Sequence, residues 1–374
     1  MAAESKLISI PSRHGPLSVL FSETITPSLR LQCSKLASTA FGKSLRESDF
    51  LEREVLFNSH PLASDTGLRF WSLRLTDADG EAKVLALCKT LHRDLLIRDG
   101  SGTRREQGYC ICSVVTSAEY RGRGLASVLL GKVAEWLDGE GQAVASMLYS
   151  DVGDFYVSKG WDVLAALQST LTVPPSLPSG EKRAKLPTTR LLTADDIPRL
   201  AERDVEDLTE EFQKYGLPSE RTLVTVLPTP DMISWLHARA DFMNTKLEGK
   251  TPEAKGSICE SASAWLYWFH DLRAQKITIQ RIKLPQDQNS KATTQALAAL
   301  LLDAVEEAAR WKTSEIVFWN PGPELRDATK YLAEELGIKV EDETRETSNI
   351  PCLRWRGGEK KMATVWPNEY YAWS

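Results

Sequence analysis

Apolar residues recur at helical spacing through residues 125–137, where Leu125, Val128, Leu129, Val133, Trp136 and Leu137 form one face of LASVLLGKVAEWL. Gly139 and Gly141 end that helix. Just before it, residues 109–116 read YCICSVVT, a β-branched and aromatic run that predicts a buried strand. The turn SAEYRGRG separates the two. Downstream, QAVASMLYS predicts a second strand, DVGDFYVSKG a short helix ended by Gly160, and WDVLAALQSTLTV a third strand. Upstream, LRFWSLRL and AKVLALCKTLHRDLLI predict an antiparallel pair joined by the turn DADGE, and residues 28–46 a first helix.

The pattern breaks at residues 171–190, LTVPPSLPSGEKRAKLPTTR, which contain Pro174, Pro175, Pro178 and Pro187. Such a stretch predicts a linker, with Lys182, Arg183 and Lys185 read as solvated charges rather than a nuclear-localisation signal. Beyond it, TTRLLTADDIPRLAERDVEDLTEEF predicts a strand, a turn with Asp195 and Asp196 as N-cap candidates, and a helix. SASAWLYWFHDLR and KITIQRIKL follow as strands, TTQALAALLLDAVEEAARW as a long helix and SEIVFWN as a strand. At an offset of 172 residues, Leu129, Leu130, Val133, Glu135 and Val144 fall on Leu301, Leu302, Val305, Glu307 and Ile316. Helix meets helix and strand meets strand, so the second half reads as a copy of the first. The turn is not copied: Arg121, Gly122, Arg123 and Gly124 fall on Thr293, Thr294, Gln295 and Ala296. The expected boundaries are 1–173 for a first α/β domain, 174–189 for a Pro-rich linker and 190–374 for a second domain.

Composition narrows the class. The chain has 374 residues, 42% hydrophobic and 26% charged, which is ordinary globular usage and excludes disordered, collagen-like and disulfide-scaffold proteins. Lys plus Arg number 46 against 51 for Asp plus Glu, a net charge of -5, so no global positive field draws nucleic acid or an anionic membrane. Any polyanion must be held by a local site. The six cysteines include no Cys-x-x-Cys pair, and Cys110 and Cys112 read as thiols on one strand face, which suits a reducing compartment. His14, His60, His92, His237 and His270 are scattered without a His-Glu-x-x-His spacing, so no metal site is expected. No apolar run follows Lys6, and no stretch of about 18 apolar residues occurs, so the expectation is a soluble, cytoplasmic protein.

The turn between the first strand and its helix carries the candidate chemistry. Arg121-Gly122-Arg123-Gly124-Leu125-Ala126 fits the pattern [Arg/Gln]-x-x-Gly-x-[Gly/Ala]. Glycines there permit positive φ, and the unpaired amides of the helix start present the positive end of its dipole to an anion. Arg121 and Arg123 add charge. A P-loop is absent, and Ser127 stands where a dinucleotide fingerprint needs its third glycine.

With these residues the chain resembles the GCN5-related N-acetyltransferase (GNAT) superfamily over residues 70–165, and Phe155-Tyr156-Val157-Ser158-Lys159-Gly160-Trp161 is similar to its Tyr-x-x-x-Gly-Phe segment, with Trp161 in place of Phe. AEYRGRGLASVLL, LYSDVGDFYVSKGW and the C-terminal WPNEYYAWS look like the fungal lysine N6-acetyltransferases of lysine catabolism, in which a GNAT-like C-terminal half accompanies the catalytic half. The resemblance implies a GNAT fold: a mixed, largely antiparallel sheet with splayed central strands, plus a degenerate second copy contributing to the acceptor pocket. It implies acetyl-CoA as cosubstrate, with the backbone of Val114, Val115 and Thr116 along the pantetheine arm and residues 121–127 (Arg121, Gly122, Arg123, Gly124, Leu125, Ala126 and Ser127) on the pyrophosphate. Ala118 stands where many relatives have proline.

It also implies acetyl transfer to an amine, the ε-amine of free L-lysine in the nearest subgroup, with Tyr156 as the acid that meets the departing thiolate. No carboxylate lies on residues 109–116, so the Glu that some relatives use as base is missing; Glu106 and Glu369 are candidates, and a water chain is a third. The alternating Trp265, Tyr267 and Phe269 read as a packed face, or as a wall of the acceptor pocket. A protein lysine or a polyamine remains an alternative acceptor, and an acetyl-CoA-binding scaffold without turnover an alternative of another class. Neither nucleic acid nor a membrane is expected as partner.

Overall fold

The computed structural model describes residues 5–11, 15–76, 82–214, 216, 221–285, 289–357 and 363–373. The chain opens with β1 (Lys6–Ile10), β2 (Leu17–Glu23), α1 (Pro27–Phe41) and α2 (Glu47–Ser59), then β3 (Leu68–Thr76) and β4 (Ala82–Asp99). Next come β5 (Gly102–Thr116), α3 (Leu125–Asp138), β6 (Ala145–Ser150), β7 (Asp162–Val163) and β8 (Leu167–Thr172). The second half begins with α4 (Gly180–Arg183), β9 (Arg190–Leu192), α5 (Ile197–Lys214), β10 (Thr222–Val226), α6 (Pro230–Glu248), β11 (Gly256–Cys259) and β12 (Ala264–Asp271). It ends with β13 (Lys276–Lys283), α7 (Ser290–Arg310), β14 (Glu315–Trp319), α8 (Pro323–Leu336), β15 (Val340–Thr344), β16 (Ile350–Trp355) and β17 (Ala363–Val365).

Two sheets result. One has ten strands, in the order β1-β2-β3-β4-β5-β6-β16-β7 with β10 on β4 and β17 on β10; the other has seven, β15-β8-β14-β13-β12-β11-β9. Among the described pairs only β5 with β6, β13 with β14 and β10 with β17 are parallel. Each half therefore contains a parallel pair bridged by one helix, α3 or α7, inside an otherwise antiparallel sheet. The chain is mixed α/β with the GNAT build in both halves.

Membership of the sheets does not change at residue 173. β8 lies in the second sheet, whereas β10, β16 and β17 lie in the first. The proline-rich segment packs rather than floats: Leu186 is buried, Lys182 Nζ donates to the Glu335 carbonyl at 2.6 Å, and Arg183 pairs with Asp303 at 2.8 Å. Arg183 is thus docked on α7, whereas Lys182, which reaches α8, and Lys185 stay exposed as expected.

Local chemistry explains several differences from the sequence pattern. The single helix expected over residues 28–46 stops at Phe41, where Gly42 caps α1 and donates its N–H to the Ser38 carbonyl, and α2 starts only at Glu47. The turn DADGE lies outside the described residues. DVGDFYVSKG is two 3-10 turns, closed by Gly160 at φ +94°. The turn before α5 is capped by Thr193 rather than an aspartate; Asp196 answers from three residues on, and the two form a capping box.

Packing then fixes the layers. α3 buries Leu129, Leu130, Val133 and Leu137 against Trp71 and Leu85 of β3 and β4. Each such side chain stabilises the fold by about 1.5–3 kcal/mol. In the second half β12 is buried on both faces: Trp268 joins the core under α7, while Trp265 and Tyr267 face the core containing Leu200 of α5 and Ile233 of α6. These aromatic residues are packing.

α6 also buries His237, whose Nε2 lies 2.9 Å from the Trp268 carbonyl oxygen. Burial, helped by the Lys255 charge, pulls its pKa down to about 3. The unfolded ring takes a proton near about 6.5. Between those values the unfolded state binds a proton that the folded state refuses, so stability is present above pH 6.5 and is lost as pH falls. In urea titrations the wild type should lose about 1.4 kcal/mol per pH unit across that window more than His237→Gln does. Equal slopes would contradict this assignment.

Candidate active site

β5 and β6 pair only from Gly108–Cys110 to Ala145–Met147. Past Cys110, β5 carries one extra residue against β4, with Ser113 at φ +53°, and this bulge bends it away. β6 stays paired with β16 on its far side. From Ile111 to Thr116, therefore, the β5 edge facing β6 has no strand partner, and its amides and carbonyls are available to a ligand.

A turn then leads to α3. Gly122 and Gly124 sit at φ +74° and +76°, angles that favour glycine, and a Cβ on either would meet no atom within 4 Å. The backbone favours glycine, and the space in front stays open. Gly124 caps α3 without a side-chain cap bond, leaving the first helical amides for an anion. Arg121 Nε donates to the Thr116 carbonyl at 3.3 Å, and the Arg123 guanidinium lies 5.0 Å from the Tyr120 ring centroid. These contacts hold both arginines at the turn.

A groove of about 550 Å³ runs along these parts, lined by Val114, Val115, Thr116, Arg121, Gly122, Gly124, Leu125, Ala126 and Ser127, and also by Tyr120, Phe155, Ala40 and Phe41. Of the expected cofactor residues only Arg123 is not in the lining. The groove fits a long pantetheine–pyrophosphate ligand: free strand edge at one end, free helix amides at the other.

Tyr156 follows Phe155 and is buried, yet among the described residues its hydroxyl has no hydrogen-bond partner. Burial pushes the phenol well above its ordinary range, and Cys88, Cys352, Asp151 and Cys112 push it the same way. It keeps its proton at physiological pH. Glu106 lies on β5 outside the splayed part and pairs with Arg104 at 3.0 Å. Neither it nor Glu369 lines the groove.

Glu369 sits in the second copy of the wedge. β13 and β14 pair only over Lys276–Thr278 and Glu315–Val317, then part, as β5 and β6 do. The chain's own tail bridges that gap: Glu369 pairs with Arg281 at 3.0 Å, Asn320 Nδ2 donates to the Asn368 carbonyl at 2.6 Å, and Tyr370 packs on Trp319 at 4.2 Å. Arg281 is held in turn by buried Asp204 at 2.7 Å. With no glycine turn and its gap bridged by the tail, the second wedge differs from the first in both respects.

A second cavity, of about 250 Å³, adjoins the groove through Phe41, which lines both. Ile111, Cys112 and Ser113 of the β5 bulge form one wall, Arg53, Glu54 and Phe57 of α2 another, with Lys89, Tyr149 and Asp151 between them. The second half closes it with Trp235, Arg239, Asn349 and Trp373. Sequence patterns did not point to these residues. One signal was available: Asp151 follows directly on the carboxyl end of β6, where open α/β sheets place their ligands. Among the described residues no cluster of three or more His, Cys, Asp or Glu could hold a metal.

A cleft of this kind belongs to the GNAT acetyltransferases, which use acetyl-CoA, and residues 41–155 match the family model Acetyltransferase (GNAT) family. Residues 172–374, over half of the chain, match the model LYC1 GNAT-like C-terminal domain, and the chain belongs to that family. A relative from Yarrowia lipolytica, "Lysine acetyltransferase", is 24% identical over 357 residues, covering 84% of this chain and 88% of the relative. An uncharacterized Saccharomyces cerevisiae protein is 24% identical over 319 residues, covering 79% of this chain and 77% of its own. Among solved structures, a GCN5-related N-acetyltransferase from Kribbella flavida has a TM-score of 0.52 at 16% identity, with 91% of this chain and 72% of that one covered. A probable N-acyltransferase from Enterococcus faecalis has a TM-score of 0.54 at 12% identity, covering 95% and 73%. These structures share the fold.

Proposed function

We propose that the protein transfers acetyl from acetyl-CoA to the ε-amine of free L-lysine, by direct attack in a ternary complex. The observation that carries this reading is the small second cavity, which meets the unpaired β5 edge at its bulge and is closed by both halves of the chain. At about 250 Å³ it falls below the about 300–1,000 Å³ of drug-sized ligand sites, and so suits one small amine better than a protein segment. The name of the Yarrowia relative points the same way. None of the six cysteines is in a disulfide, which is in keeping with a cytoplasmic setting.

Acetyl-CoA supplies an acyl thioester. The chain's residues do the rest. Free amides of Val114 to Thr116 donate to the thioester oxygen as negative charge gathers there. The lysine ammonium must lose a proton before attack, which costs about 4.6 kcal/mol at pH 7. Asp151 is the pocket carboxylate whose field reaches Tyr156, and we assign it the ammonium. The first ammonium proton passes to solvent; as the N–C bond forms and the C–S bond breaks, Tyr156 gives its proton to the leaving thiolate, and the second proton, shed by the acylated nitrogen, returns to the Tyr156 phenolate. Burial makes the phenol a weaker acid than free tyrosine, but the thiolate forms in the same dry surroundings and is raised as well.

An acceptor panel tests the reading. Free lysine should be acetylated with a higher kcat/KM than a lysine-containing peptide or a polyamine. A preference for the peptide or the polyamine would replace lysine as the acceptor, and thioester binding without turnover of any amine would make the protein a scaffold.

A further inference from the structure

The small cavity has one cation too many. Its walls carry Arg53, Lys89 and Arg239 against Glu54 and Asp151. Glu54 is already engaged: buried Lys89 Nζ pairs with its Oε2, and Arg53 Nη2 lies 3.4 Å from its Oε1. Asp151 accepts the Asn349 amide at 2.8 Å. Arg239, from α6, meets no carboxylate among the described residues; its guanidinium lies 4.8 Å from the Trp373 ring centroid. Arg53 is buried, and its Nε has no hydrogen-bond partner. A planar guanidinium stacked on an aromatic face, with its in-plane donors unspent, is a ready binder of a carboxylate. The buried Arg53 guanidinium, with an orphan donor in the same cavity, strengthens the case, because an unpaired buried donor is costly.

We propose that Arg239, assisted by Arg53, binds the α-carboxylate of the amino acid acceptor. This rests on the function proposed above. One wall of the cavity is the β5 bulge, Ile111, Cys112 and Ser113, beside the unpaired strand edge where the thioester would lie. Arg239 enters from α6, on the wall that the second half supplies. A lysine held by its carboxylate at Arg239 sends its side chain toward the β5 bulge, so the ε-amine, and not the α-amine, reaches the thioester. The second half thereby sets the choice of acceptor.

The test compares L-lysine with cadaverine, the same diamine without the carboxylate, in steady-state kinetics of the full chain. The wild type should favour lysine in kcat/KM, and Arg239→Gln should lower the lysine-to-cadaverine ratio by roughly 10- to 100-fold, the scale of losing hydrogen bonds to a charged group. The loss should appear chiefly in KM for lysine. Arg239→Lys, which keeps the charge but not the fork, should recover part of it, and a melting temperature near that of the wild type shows each variant folded. A ratio unchanged in a folded Arg239→Gln overturns the inference while leaving the function intact. A wild type that acetylates neither lysine nor cadaverine overturns the function, and the inference with it.

Discussion

Gly124→Asp abolishes acetyl-CoA binding while the chain stays folded. The position sits at φ +76°, where an L side chain is strained by about 1–2 kcal/mol, and aspartate is among the residues that bear this best. Its Cβ would meet no protein atom within 4 Å, so nothing in the fold has to move. Gly124 is also the N-cap of α3, where aspartate is a favoured residue. The same substitution that serves the helix removes the site: the new carboxylate accepts the amides that would hold phosphate and adds negative charge in front of them. Calorimetric titration with acetyl-CoA should show no saturable heat, with melting close to the wild type. Binding within a few-fold of the wild type would mean that the cofactor does not use this helix end.

Tyr156→Phe should lower kcat about 10²-fold, the usual scale of acid catalysis, with acetyl-CoA affinity little changed. The hydroxyl gives up no hydrogen bond to the described residues, so its removal leaves no buried group unpaired. The pH profile carries the sign. Attack needs a neutral amine, so the rate rises with pH, and the alkaline fall, where the phenol loses its proton, is displaced above the ordinary tyrosine range of about 10. Full activity in the phenylalanine variant would remove Tyr156 from the mechanism.

Much of the first half was legible because its signals are local. The face from Leu125 to Leu137, the strand 109–116 and the glycines at 122 and 124 each report a backbone preference that depends on near neighbours. The groove along β5 and the glycine turn is built almost wholly from one contiguous stretch, residues 114–127 with Phe155, so its parts were legible together. The small cavity was not. Arg53, Lys89, Asp151, Arg239 and Trp373 come from five separate elements, and only the tertiary pairing of β4, β5 and β6 with α2 and α6 brings them together. Glu369 shows the same limit from the other side: an acid in an aromatic tail looked available for catalysis, whereas burial beside Arg281 puts it in the second wedge. Exchange of strands between the sheets, β8 one way and β16 the other, also leaves no local mark, because a strand's own residues do not say which edge it will join.

The most direct measurement of the central claim is the release of coenzyme A thiol from acetyl-CoA by the purified protein with and without free L-lysine, with the product identified by NMR. The account predicts lysine-dependent release and N6-acetyl-lysine as the product. Release no faster with lysine than without, or acetylation at the α-amine, would contradict it.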